Sequence, residues 1–301
     1  MRFIHLSDVH VWRYAWKPWK LFSKRAVGMI ELVSGRAGRF RLERLEEVVA
    51  RIEALNADHV LITGDLTTTA LRHEFHVARA ALEPLLVDPE RATVIPGNHD
   101  RYTWGSVRSK EFETHFGEFA PRSTFPWLRR LDERTAILGL DPTRSHLSAT
   151  GRLPEKQFAE ARALLADEAN RPERLIVACH YPLEAPTFWA GELAKKRMKN
   201  APEVEAWLAG LGPHLYCCGH VHAAWAFRPR AVPEQLCLNA GAPLMHDKIG
   251  TRPPGFLEVE LHEGIVSVLH HAWVENDRWE VRPMHQDPAF FDVGERAAGT
   301  A

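Results

Sequence analysis

The 301-residue sequence has no apolar run of transmembrane length. Met1 leads straight into Arg2-Phe3-Ile4-His5-Leu6 without a leader-like segment. A membrane-spanning or exported chain is therefore not expected, and the sequence reads as cytoplasmic. Cysteine is sparse. Cys179, Cys217, Cys218 and Cys237 lie in or beside apolar strand-like runs and none forms a CxxC, which argues against a disulfide scaffold and predicts buried, reduced thiols. An excess of one charge is lacking too: 38 basic against 39 acidic residues give a net charge of -1, so there is no global case for nucleic acid or membrane. Internal repeats, low-complexity blocks and a domain-splitting linker are also missing. One domain is expected over 1–280, followed by a loosely ordered tail at 281–301, where periodicity fades.

What is present is histidine, seventeen in all, and a run of short apolar segments that each stop at a polar turn. Residues 2–7 read as a buried strand ending at Asp8-Val9-His10. A helix over 42–56 carries Leu42, Leu45, Val49 and Ile52 on one face. Val60-Leu61-Ile62 delivers Thr63-Gly64-Asp65. Helix-like sequence continues to about Leu86, and Ala92-Thr93-Val94-Ile95 delivers Gly97-Asn98-His99-Asp100. Residues 135–140 read as a strand stopping at Asp141, and 155–169 as a helix. Leu175–Cys179 delivers His180, and after a Pro- and Trp-containing loop and a helix near 202–211, Leu215–Cys218 delivers Gly219-His220-Val221-His222. Strands at 235–239, 255–261 and 265–274 complete the pattern, the last two joined at His262-Glu263-Gly264. Alternating strands and helices followed by hairpins predict an α/β fold, a four-layer α-β-β-α sandwich with two mixed sheets.

Five strand ends thus carry chemistry. In extended chain, residues two apart point the same way, so Asp8 with His10, and His220 with His222, are expected to aim into one cleft. The pooled donors are carboxylate, amide and imidazole, with no thiolate, which argues against a structural zinc knot and suits manganese, iron or zinc. Two carboxylates, one Asn and four His exceed the needs of one ion and match two ions roughly 3.5–4 Å apart.

The set Asp8-x-His10, Gly64-Asp65, Gly97-Asn98-His99-Asp100, His180 and Gly219-His220-x-His222 resembles the five-block signature of the calcineurin-like metallophosphoesterase superfamily, over roughly residues 1–270. The resemblance implies a dinuclear-metal-dependent hydrolase of phosphodiester or diphosphate bonds that works by metal-activated water attack, with manganese the favoured ion. It assigns Asp8, His10 and His222 to one metal, Asn98, His180 and His220 to the other, and Asp65 as the bridge. It leaves His99 unligated as the proton donor or phosphoryl stabiliser, with Asp100 orienting it.

Departures narrow the group. Leu66-Thr67-Thr68 follows Gly64-Asp65, where serine/threonine phosphatases have D-R-G and purple acid phosphatases have Tyr at the position of Thr68. The remainder resembles compact bacterial phosphodiesterases, in which pyrophosphatases acting on UDP-2,3-diacylglucosamine compete with 3',5'-cyclic-nucleotide phosphodiesterases. A non-catalytic metal-binding scaffold would be marked by a lost ligand, and none is lost.

Residues 11–41 separate the branches. Eight basic residues against the single Glu31 leave +7, Trp12, Tyr14, Trp16 and Trp19 cluster at its start, and Trp19, Phe22, Ala26, Ile30 and Val33 form a helical apolar stripe. Such a segment fits a lid that packs on its own domain, admits a lipid-bearing substrate, or meets an anionic membrane surface on the inner face. A second segment, 188–199, is expected to form the facing lip. Nucleic acid is a weaker expectation.

Overall fold

The computed structural model describes residues 1–12, 40–145, 149–167, 170–246, 250–274 and 278–291. Two mixed six-stranded sheets form the centre. The first holds β1 (Arg2–Leu6), β2 (His59–Ile62), β3 (Ala92–Val94), β10 (Gly255–His262), β11 (Ile265–Val274) and β12 (Arg278–Asp287), in the order β12-β11-β10-β1-β2-β3. The second holds β4 (Trp127–Arg130), β5 (Thr135–Leu140), β6 (Arg174–Cys179), β7 (His214–Cys218), β8 (Ala224–Phe227) and β9 (Gln235–Ala240), in the order β4-β5-β6-β7-β9-β8. β1, β2 and β3 run parallel, as do β5, β6, β7 and β9, and antiparallel partners complete each sheet.

The apolar residues of these strands alternate between cores, which produces the four layers. In β1, Phe3 faces the space between the sheets while Ile4 and Leu6 face outward. In β6, Ile176 and Ala178 face inward while Leu175, Val177 and Cys179 face outward. One outer core is closed by α1 (Leu45–Leu55) and α2 (Arg72–Ala81), with α3 (Trp104–Arg108) and α4 (Glu111–Phe116) further along the chain. The other is closed by α5 (Glu155–Ala166), α6 (Thr187–Ala194) and α7 (Ala201–Leu208). The inner strands, such as β1 and β6, therefore bury side chains on both faces, at about 1.5–3 kcal/mol for a fully buried large aliphatic residue. No helix of the described residues is long and apolar enough to cross a membrane. The four cysteines are free and buried.

Two expectations change. The tail expected from 281 is strand as far as Asp287, paired with β11 along its length, and Phe290 is fully buried. An edge strand needs only one backbone partner and leaves half its side chains in solvent, so its sequence carries little apolar periodicity. Sequence around 187–194, read as loop, forms α6. The basic stretch of 11–41 lies, at 13–39, outside the described residues, as does the end of the chain from 292.

Candidate metal centre

All five polar turns fall at the carboxyl ends of parallel strands: Asp8 and His10 after β1, Asp65 after β2, Asn98 to Asp100 after β3, His180 after β6, and His220 and His222 after β7. Because the two sheets present these ends on the same side, residues more than 200 positions apart come into contact.

The turns do not continue as strand. Among the described residues, nine non-glycine residues have left-handed backbone, and five of them are Asp8, His10, Asp65, His220 and His222, with φ between 52° and 72°. Asp and His tolerate this conformation better than bulky or β-branched residues, at a cost of roughly 1–3 kcal/mol each where the surroundings impose it. Here the surroundings do so through hydrogen bonds: the Asp8 amide donates to Gly64 O and the His10 amide to Asp65 O, both at 2.9 Å, and the His220 amide donates to Asp8 Oδ2 at 2.9 Å. The extended geometry expected for Asp8-x-His10 and His220-x-His222 is therefore replaced by tight left-handed turns. The side chains still converge.

Two donor clusters result. In one, Asp8, His10, Asp65 and His222 bring ligand atoms within 4.8 Å of one another; in the other, Asp65, His180 and His220 do so. His222 Nε2 lies 3.2 Å from Asp8 Oδ1, and His10 Nε2 lies 3.0 Å from His222 Nε2 and 3.7 Å from Asp65 Oδ2. His180 Nε2 lies 3.3 Å from Asp65 Oδ2 and 3.2 Å from Asn98 Oδ1. All seven expected ligands are thus brought together, and Asp65 belongs to both clusters.

The residues present fit a pair of cations. Asp65 Oδ2 and His220 Nε2 are buried without a hydrogen-bond partner, a costly state for polar atoms unless a ligand satisfies them. His180 Nδ1 donates to Thr63 O at 2.7 Å. That bond anchors the ring with Nε2 facing Asp65, the arrangement a metal-ligating imidazole needs.

Electrostatics point the same way. Burial opposes charge on the two carboxyls, but His222 and His10 beside Asp8, and His180 and His99 around Asp65, hold both well below the usual carboxylate range. Burial pulls His180 down, yet the Asp65 carboxylate outweighs it and raises the imidazole to about 9. His222 is lowered to about 4, burial outweighing the attraction of Asp8. Ionised carboxylates surrounded by imidazole nitrogen form a pocket that demands positive charge.

His99 stands beside these clusters. Its ring packs edge-on to His10 with centroids 4.9 Å apart and stacks on Tyr102 at 5.4 Å with planes 13° apart. Its Nδ1 donates to the Thr68 carbonyl at 2.6 Å. Asp100, expected to orient His99, is engaged elsewhere. Its Oδ1 accepts from the Thr67 amide and hydroxyl and its Oδ2 from the Leu66 and Gly97 amides. Asp100 therefore ties the Asp65 loop to the Asn98 loop. The reason is distance along the chain: a residue directly after His99 in a tight turn points the opposite way, whereas the backbone of the neighbouring loop is within reach. Burial and the nearby Asp65 charge push Asp100 up to about 6 against those donors.

The sequence reading missed the Thr68 carbonyl, because every residue carries one. It also passed over Asn239, whose Nδ2 donates to Gly219 O at 2.5 Å and whose Oδ1 accepts from the Gly241 amide at 3.0 Å. A polar residue ending the apolar run 235–239 was the available signal.

The sequence matches the calcineurin-like phosphoesterase family over residues 1–224. A comparison with curated proteins finds no match. Among solved structures, a dimetal phosphatase from Danio rerio superposes with a TM-score of 0.61 at 12% identity, covering 94% of this chain and 99% of that one. A purple acid phosphatase from yellow lupin (Lupinus luteus) seeds gives 0.60 at 13% identity, covering 96% of this chain and 54% of that one. At such identities these likenesses concern the fold, and the family rests on the sequence match. The chain belongs to the calcineurin-like phosphoesterase family, metal-dependent hydrolases of phosphoric esters with a dinuclear centre.

Proposed function

We propose that the protein hydrolyses a phosphodiester or diphosphate bond, with Asp8, His10 and His222 holding one divalent cation, Asn98, His180 and His220 a second, and Asp65 shared between them. The observation that carries this reading is Asp65, common to both donor clusters, with its buried Oδ2 facing the imidazoles of His180 and His10. When bound, a pair of divalent cations supplies a water nucleophile near neutral pH and offsets charge on the phosphoryl oxygens. Carboxylate, amide and imidazole donors suit manganese, iron or zinc, and of these manganese is our choice.

The remaining chemistry falls to His99. A carbonyl can only accept, so Thr68 O fixes a proton on Nδ1. When the ring is doubly protonated, Nε2–H is then the proton delivered to the leaving oxygen. Stacking on Tyr102 holds the ring plane.

Within this activity we favour a lipid-linked nucleotide diphosphate such as UDP-2,3-diacylglucosamine over a cyclic nucleotide. Two exposed aromatic residues support an apolar substrate portion: Trp104, two residues past Tyr102, and Phe188 on α6, 81% and 73% exposed. The composition of 11–41 supports contact with an anionic membrane surface on the cytoplasmic side. The test is a hydrolysis screen with manganese and with chelator across a cyclic nucleotide, an aryl phosphodiester and a UDP-linked lipid, paired with co-sedimentation on anionic and neutral liposomes. Chelator-sensitive cleavage with preference for the lipid substrate is expected. Full activity of metal-free protein overturns the metal reading, and preference for the cyclic nucleotide overturns the substrate reading.

A further inference from the structure

The donor clusters are not equally enclosed. The side chains of Asp8, His10, Asp65 and His180 are at most 1% exposed, whereas His222 is 16% exposed. Solvent therefore reaches the centre beside His222, and what lines that opening decides which substrates enter.

Two cations stand against the loop that carries His220 and His222. Lys196 Nζ donates to His220 O at 3.2 Å, and Arg252 Nη1 donates to Val221 O at 2.8 Å. Both cations meet one carboxylate, Glu192 on α6: Lys196 Nζ lies 2.7 Å from Oε1, and Arg252 Nη2 bonds to Oε2. The Arg252 guanidinium lies over the Trp189 ring, 4.3 Å from its centroid, which fixes its plane. All three charged side chains are between a fifth and three tenths exposed.

We infer that Lys196 and Arg252, held by Glu192, form a subsite that takes a second anionic group of the substrate, bonded next to the phosphoryl group that is cleaved. The inference rests on the hydrolase reading and deepens it. A device that only fastened the loop would need one cation and one carboxylate. Here two cations meet the same carboxylate and the carbonyls of His220 and Val221. Of the three N–H donors on an ammonium group, Lys196 commits two, to Glu192 and His220 O. A singly charged diester has nothing further to offer such a group. A diphosphate does, one phosphorus away from the bond that breaks.

The probe pair is methylenediphosphonate and methylphosphonate, neither of which the enzyme can hydrolyse. Each is titrated calorimetrically into manganese-loaded protein: wild type, Lys196→Gln, Arg252→Gln and Lys196→Arg. Metal content and melting temperature are measured for each variant, and Lys196→Gln carries the test should Arg252→Gln prove unstable. Wild type is expected to bind the diphosphonate about tenfold more tightly, the size of one charge-assisted hydrogen bond. Lys196→Gln should bring the two ligands within about twofold, and Lys196→Arg should keep most of the preference. An unchanged preference in a metal-replete Lys196→Gln protein overturns the subsite. The titration reads binding alone. A protein that shows the preference but cleaves no diphosphate would sink the diphosphate-cleavage reading and leave the subsite standing.

Discussion

Gly219 packs against Asp8 so closely that a Cβ at 219 would lie 2.3 Å from Asp8 Oδ2 and 2.0 Å from Ser7 Oγ. That gap lets the loop after β7 reach the loop after β1, and through it the His220 amide donates to the Asp8 carboxylate. Gly219→Ala must push the two loops apart. We expect it to cost about 1–3 kcal/mol of stability, the range for overpacking a filled interior, and to reduce bound manganese from about two ions per chain toward one. Denaturant unfolding and metal analysis of the same preparation check both. A variant of wild-type stability with two ions would show that the loops are not held by this contact.

Gly97 is a parallel case, since a Cβ there would meet Asp65 Oδ1 at 2.1 Å, and both glycines stood in the sequence beside the residues they admit. The ligands themselves were legible because each is a distinct side chain at the end of a distinct apolar run. The backbone that aims them was not. The left-handed φ of Asp8 and His10 is imposed by carbonyls of Gly64 and Asp65, and no local pattern encodes a hydrogen bond to a turn 55 or 56 residues further along the chain. The same holds for Thr68 O, a backbone atom, and for Lys196 with Arg252, which lie 56 positions apart and meet at Glu192. The layered fold was legible because both faces of β1, β2, β5 and β6 are apolar. β12 was missed because a polar edge strand resembles loop.

Asp65 contributes to both donor clusters, so its removal should cost both ions. Asp65→Ala is expected to bind no manganese stoichiometrically and to lose phosphoesterase activity, whereas His222→Ala should retain the cluster of Asp65, His180 and His220 with about one ion. Metal analysis after dialysis separates the two variants. Equal metal content in both would contradict a shared carboxylate.

A pH prediction concerns the scaffold away from the centre. His59, at the start of β2, is buried with Nε2 2.8 Å from Thr93 Oγ1. Burial, and the nearby Arg129 cation, lower its pKa to about 3. The folded state therefore refuses a proton that the unfolded chain takes up near pH 6.5. More protons bound when unfolded means stability that is full above about 6.5 and falls as pH drops toward 3, by up to about 1.4 kcal/mol per pH unit for one proton. His59→Gln removes that titration and keeps a partner for Thr93. Its unfolding free energy should fall less steeply than wild type between pH 6.5 and 5; parallel curves would rule His59 out as the source.

His99 lies outside both donor clusters, so His99→Ala should keep its two ions and lose turnover by roughly 10²–10⁴-fold, the range for lost acid–base help. The loss should be smaller for a nitrophenyl ester, whose leaving group needs little protonation. Equal losses for good and poor leaving groups would assign His99 to charge stabilisation.

Asp100 gives the sharpest contrast with His99, because three of its four contacts are to Leu66 and Thr67 on the neighbouring loop and the fourth is to Gly97 in its own turn. An Asn in its place keeps one acceptor oxygen and turns an amide NH2 toward two donors that then go unmet. Each unsatisfied buried group costs about 1–3 kcal/mol, so Asp100→Asn should lower stability by a few kcal/mol. The loop it releases begins at Asp65, the residue common to both clusters, so manganese affinity should fall as well. Were Asp100 instead acting through the His99 ring, its loss would shift the pH profile of kcat and leave metal content intact. The expected result is the reverse: weakened metal binding, with the kcat profile of the metal-saturated variant unshifted. A shifted profile at full metal occupancy would return Asp100 to the role of orienting His99 and take that role away from the Thr68 carbonyl.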